Sequence, residues 1–83
     1  MTLVEIFCAL PPDVSAALEK RLDTMPVSAN PTVDEVKHQA ELVVAQVKLD
    51  ARALKHVDIT LFKVLDCAPE AILEYLFGPN WYK

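Results

Sequence analysis

Residues 32–56 read TVDEVKHQAELVVAQVKLDARALKH, and the spacing of their apolar side chains decides the fold class. Val36, Ala40, Val43, Val44, Val47, Ala51 and Leu54 recur at helical intervals, with Lys37, His38, Glu41, Lys48, Arg52 and Lys55 on the opposite side. Thr32 precedes Glu35 by the spacing of a capping box, and Asp34 and Glu35 place negative charge at the positive end of the helix dipole. At 1.5 Å per residue such a helix is roughly 37 Å long, as long as a small domain is wide. The rest of an 83-residue chain must pack around it.

A second apolar strip, Leu42, Ala45, Leu49 and Ala53, projects about 140–240° away from Val47 on the same helix. One core cannot easily cover both strips. Either a neighbouring helix or the N-terminal segment wraps over Leu42 and Leu49, or they form a dimer seam or a partner site.

Before this helix, PVSANP at residues 26–31 has the composition of a loop. Val14, Ala17, Leu18, Leu22 and Met25 share a helical face in the segment that Pro12 opens and Pro26 closes. Thr2 and Glu5 have capping-box spacing and predict a short helix stopped by Pro11. Their neighbours Leu3, Val4, Ile6 and Phe7 are also good strand formers, so residues 3–9 and 57–64 as paired strands form an α+β alternative. After the long helix, Asp58 can cap a segment running to Asp66, with Val57 and Phe62 at the positions of a hydrophobic staple. Pro69 to Phe77 is the last helix, and Gly78-Pro79 closes it. The expectation is one all-α domain over residues 1–83, with four or five helices around the long one.

Composition narrows the function. The chain is 53% hydrophobic and carries a net charge of −4, with acids and bases interspersed. That distribution disfavours nucleic acid and anionic membrane as partners and suits basic or neutral protein surfaces. No apolar run approaches the ~20 residues of a membrane span, and the start lacks the pattern of a signal peptide, so a cytoplasmic protein is expected. Cys8 and Cys67 lack metal-type spacing and read as buried small hydrophobes.

The single glycine excludes the glycine-rich phosphate loops, which need several for close backbone approach. Glu35-x-x-His38, followed by Glu41, has the ligand spacing of di-metal helical bundles, but that site takes two such helices and the chain has one. A solvated charged face accounts for these residues. Ser15 and Ser28 lack the surroundings of a nucleophile, and neither cysteine has an evident histidine partner. No enzyme, metal or cofactor is expected. Residues 58–78 outline a helix-turn-helix, yet the second helix offers Glu70 and Glu74 and no Lys or Arg, so phosphate would repel it.

Four of the six aromatics, Tyr75, Phe77, Trp81 and Tyr82, crowd into the last nine residues. Ala71, Ile72, Tyr75 and Leu76 can face the core, which leaves Glu70, Glu74 and Phe77 on the outer side. Trp81 and Tyr82 either fold back to close an apolar end or join Phe77 as anchors for a partner, fringed by Glu70 and Glu74. The functional expectation is a small soluble protein that binds a larger protein as an adaptor or inhibitor. Its contact would be the aromatic tail or the Leu42/Leu49 strip, in the manner of phage- or plasmid-encoded modulators. The alternative is a dimeric DNA-binding regulator that uses the C-terminal hairpin.

Overall fold

A computed structural model describes residues 2–81, which form five helices, four of them arranged around the longest. They are α1 (Leu3–Ala9), α2 (Pro12–Asp23), α3 (Val33–Ala53), α4 (Ile59–Asp66) and α5 (Ala68–Phe77). The all-α reading holds. The two segments of the α+β alternative form α1 and most of α4, and there is no strand among the described residues.

Local chemistry sets the helix ends. Thr2 accepts a hydrogen bond from the Glu5 amide at 3.2 Å and starts α1, and Leu10 and Pro11 separate it from α2, which Pro12 opens. Thr32 accepts from the Glu35 amide at 3.2 Å and starts α3. The Glu35 carboxylate reaches past that cap to the preceding loop, where it accepts from the Ser28 amide at 2.9 Å and the Ser28 hydroxyl at 2.8 Å. One side chain thus pins the loop to the helix it precedes. Asp58 caps α4 through the Thr60 amide, while Val57, the proposed staple residue, is exposed.

α3 ends without glycine. Lys55 takes the left-handed conformation with φ 67°, its amide donating to Arg52 O and the His56 amide to Ala51 O, the two bonds of a Schellman cap. The chain therefore turns away after Ala53, and Leu54, expected in the apolar stripe, is exposed.

The core has two adjoining parts. Ile6, Leu10, Val14, Leu18, Val43, Val44, Val47, Leu61 and Leu65 bring α1, α2 and α4 onto the middle of α3, with Ala68 and Ala71 of α5. Val36 and Ala40 near the start of α3 pack with Ile72 and Leu73 of α5. Leu3, Leu22 and Met25 touch both parts and join them.

Outside the core, Arg21 grips Asp50 with two bonds of 2.6 and 2.9 Å, tying α2 to α3. Lys48 pairs with Asp66 on α4, and Arg52 lies over the Phe62 ring at 5.6 Å. Cys67 is half-buried. Cys8 is exposed, contrary to expectation, because α1 turns Ile6 and Leu10 inward and Cys8 lies on its outer face.

Candidate functional site

α1, α2 and α5 meet without closing over one another, and the gap between them is an apolar groove of about 450 Å³. Its base is the seam of the core: Leu3 from α1, Leu22 from α2, Met25 just beyond it and Ile72 from α5. Tyr75 and Leu76 form one wall, with 75% and 49% of their surface in solvent. Phe7 closes the apolar lining, and Glu19 and Asp23 of α2 stand on the rim. A smaller depression of about 250 Å³ continues on the far side of Leu3 and Tyr75, where Val4, Pro79 and Glu74 line it. Tyr75 is therefore a ridge between two apolar hollows that carry carboxylates at their edges.

This arrangement follows from how α5 is rolled, and here the structure corrects the sequence reading. Tyr75 and Leu76 were expected to face the core with Phe77 outside, but Phe77 is half-buried against the second part of the core. Leu73, not assigned a role in the sequence, is 1% exposed. The reason is that α5 has two helical neighbours. Ala68 and Ala71 meet the first part of the core, while Leu73 and Phe77, one turn apart, pack on the α3 residues Val36 and Ala40, also one turn apart. Tyr75 and Leu76 follow Ala71 and Ile72 by one turn and continue their faces, but α1 and α2 do not close over the last turn of α5, so both stay in solvent. The Leu73/Phe77 pair at i, i+4 was the sequence signal for the second face.

Past α5, Gly78 makes the turn with φ 84° and ψ 177°, and Trp81 lies half-buried on the same part of the core as Phe77. Of the aromatics read as anchors, Phe77 and Trp81 support the base of the groove from within, and Tyr82 lies outside the described residues. Glu70 and Glu74 are exposed, Glu74 beside the smaller hollow. Leu42 and Leu49 do not line the groove and lie on the opposite side of α3 from its core-facing residues, Leu42 beside Met25 in a separate shallow hollow between α2 and α3. Sequence reasoning missed Leu3, Phe7, Leu22 and Met25 as lining residues, because a groove between three helices has no periodicity of its own.

Hydrogen bonds set the charge states of several carboxylates elsewhere. The Arg21 guanidinium holds the Asp50 carboxyl below its ordinary range, the His56 ring does the same for Asp13 at 2.9 Å, and the Ser28 hydroxyl and amide do so for Glu35. The Glu35 carboxylate of the Glu-x-x-His spacing is thus engaged in fastening a loop. Among the described residues no three His, Cys, Asp or Glu side chains gather as metal ligands, and no helix is long and apolar enough to cross a membrane.

Chemically the groove can hold an apolar side chain or two of a helical or extended segment, while its rim attracts positive charge. Comparison with known protein families, curated proteins and solved structures finds no match to this chain.

Proposed function

We propose that this protein acts by binding a larger protein, as an adaptor or inhibitor, and that the groove between α1, α2 and α5 receives the partner. The observation that carries this reading is the outward placement of Tyr75 and Leu76 beside an apolar hollow edged by Glu19 and Asp23, with Glu74 on the smaller hollow across Tyr75. A tyrosine ring offers large apolar area at small entropic cost and keeps a hydroxyl for hydrogen bonding, which is why tyrosine is enriched in binding hot spots. The carboxylates select the occupant: a partner segment whose apolar side chains enter the groove and whose lysines or arginines flank them. The partner contact thus moves from the tail aromatics to the surface that they support.

The test compares the wild-type chain with Tyr75→Ser and Leu76→Ser as immobilised bait in extract of the native host. Both positions are exposed, so both variants should keep the wild-type helical circular dichroism. A protein captured by wild type and lost from both variants, and eluted by raised salt, is the expected result. Equal capture by all three baits would remove the groove from consideration.

A further inference from the structure

The groove between α1, α2 and α5 suits one kind of backbone. All of its lining residues but Met25 lie within helices, whose amides and carbonyls bond along their own axes except in the end turns. The Met25 amide donates to Leu22 O at 3.2 Å, and there is no strand edge among the described residues. The polar side chains of the lining are the Glu19 and Asp23 carboxylates, which only accept hydrogen bonds, and the Tyr75 hydroxyl. An extended or polyproline segment laid here would press its carbonyls against apolar side chains and other acceptors, and a buried unpaired carbonyl is costly. An α-helix brings its backbone already paired.

The charges around the groove are of one sign. Glu19 and Asp23 on its rim and Glu74 on the smaller hollow are exposed, and among the described residues none of the three is in an ion pair. No Lys, Arg or His lines either hollow. The neighbouring cations Lys20 and Arg21 turn to the α3 side of α2, where they line a separate hollow with Asp50. Asp23 is the last residue of α2 and Glu74 lies in the last turn of α5, where the helix dipole disfavours negative charge, and Glu19 and Asp23 are like charges one turn apart. α1 alone brings a positive end, and Glu5 in its first turn answers it. The three carboxylates thus burden the fold and favour the approach of a cation.

Resting on the reading of this groove as a partner site, we propose that its occupant is a basic amphipathic α-helix of the partner. Apolar side chains three or four residues apart enter the groove, and Lys or Arg at the same interval on the adjoining flank meet Glu19 and Asp23, which repeat at one helical turn on α2. A cation on the other flank reaches Glu74 across Tyr75.

Selection from a phage-displayed library of random peptides of about 16 residues, roughly four helical turns, tests it with wild type and Tyr75→Ser as baits. The expected pool is retained by wild type, lost on Tyr75→Ser, and carries apolar residues at helical spacing beside Lys or Arg. A synthetic peptide from that pool should gain helical circular dichroism on binding. It should bind at least about tenfold more weakly to the double variant Glu19→Lys, Asp23→Lys, and a peptide with glutamates in place of its cations should bind that variant in its stead. Both carboxylates are exposed, so the double variant should fold, and Asp23→Lys alone should melt no lower than wild type because it places a cation at the negative end of α2. A pool lost on Tyr75→Ser whose apolar residues alternate, or whose prolines recur at every third position, keeps the groove as a partner site and overturns the helix. Binding unchanged by the double reversal overturns the basic flank, and a lower melting temperature for Asp23→Lys assigns that carboxylate to the fold and does the same. A pool indifferent to Tyr75→Ser, or no enriched pool at all, overturns the groove as the contact and the helical occupant with it.

Discussion

Lys55 and Gly78 stop their helices with positive φ, and only one of them is a residue suited to it. The left-handed region costs a side chain roughly 1–2 kcal/mol, and glycine is free of that cost while losing more entropy on folding. Lys55→Gly should therefore stabilise the fold by about 1 kcal/mol, raising the melting temperature by roughly 4–8 °C; an unchanged or lower value would show that the lysine cap is not strained. Gly78 combines φ 84° with ψ 177°, a region essentially confined to glycine, and a Cβ added there would meet nothing within 4 Å. Gly78→Ala should thus lose about 1–3 kcal/mol through backbone strain alone, read from the same melts, with no clash to repack. The fastened carboxylates set the response to acid. Asp13, Glu35 and Asp50 are depressed in the folded state, so the stability they contribute is present above their unfolded values and is lost as pH falls through the folded ones. Melting temperature should drop as pH goes below about 4. The Asp50 carboxyl is held by a cation and Glu35 by neutral donors, so added salt should raise the Asp50 titration midpoint towards normal and move Glu35 less. Carboxyl NMR titrations at two ionic strengths measure this, and equal shifts at both sites would contradict it.

At the scale of the element, α2 and α3 were legible because each buries a single stripe. Val14, Leu18, Val36, Ala40, Val43, Val44, Val47 and Ala51 are buried at the positions that a 3.6-residue period selects. The caps at Thr2, Thr32 and Asp58 were legible for a similar reason, since each depends only on residues two or three positions away. α5 was legible only in part, because a period identifies faces and does not show where along the helix its neighbours stop. That difference has measurable consequences along one turn. Leu73→Ala should cost about 2–4 kcal/mol in chemical denaturation and Leu76→Ala less than about 1, since only Leu73 is enclosed. The sequence reading, with Leu76 inward, expects a core-sized loss at Leu76 instead. Phe77→Ala should destabilise by about 2 kcal/mol, as expected of a half-buried ring, and would therefore be a poor probe of partner binding.

For the whole molecule, the decisive feature is how the two parts of the core are joined. Leu3, Leu22 and Met25 pack on both, so neither part can open without exposing side chains that the other needs. Unfolding should accordingly be a single transition: Trp81 fluorescence, which reports the second part, and far-ultraviolet circular dichroism, which reports every helix, should give coincident curves. Leu22→Ala should shift both curves together to lower denaturant, whereas separation of the two would show that the parts fold independently. Such joins were invisible in the sequence, because they depend on residues far apart in the chain that meet only after the helices pack. The three joining side chains also form the base of the groove, which has a consequence for how long the protein survives in a cell. A chain of this size holds little stability in reserve, and degradation samples its transiently opened forms. An occupant seated on Leu3, Leu22 and Met25 would bind only the closed form and so lower the population of opened ones, so copies with a partner would outlast copies without one, and the level of this protein would follow the supply of its partner.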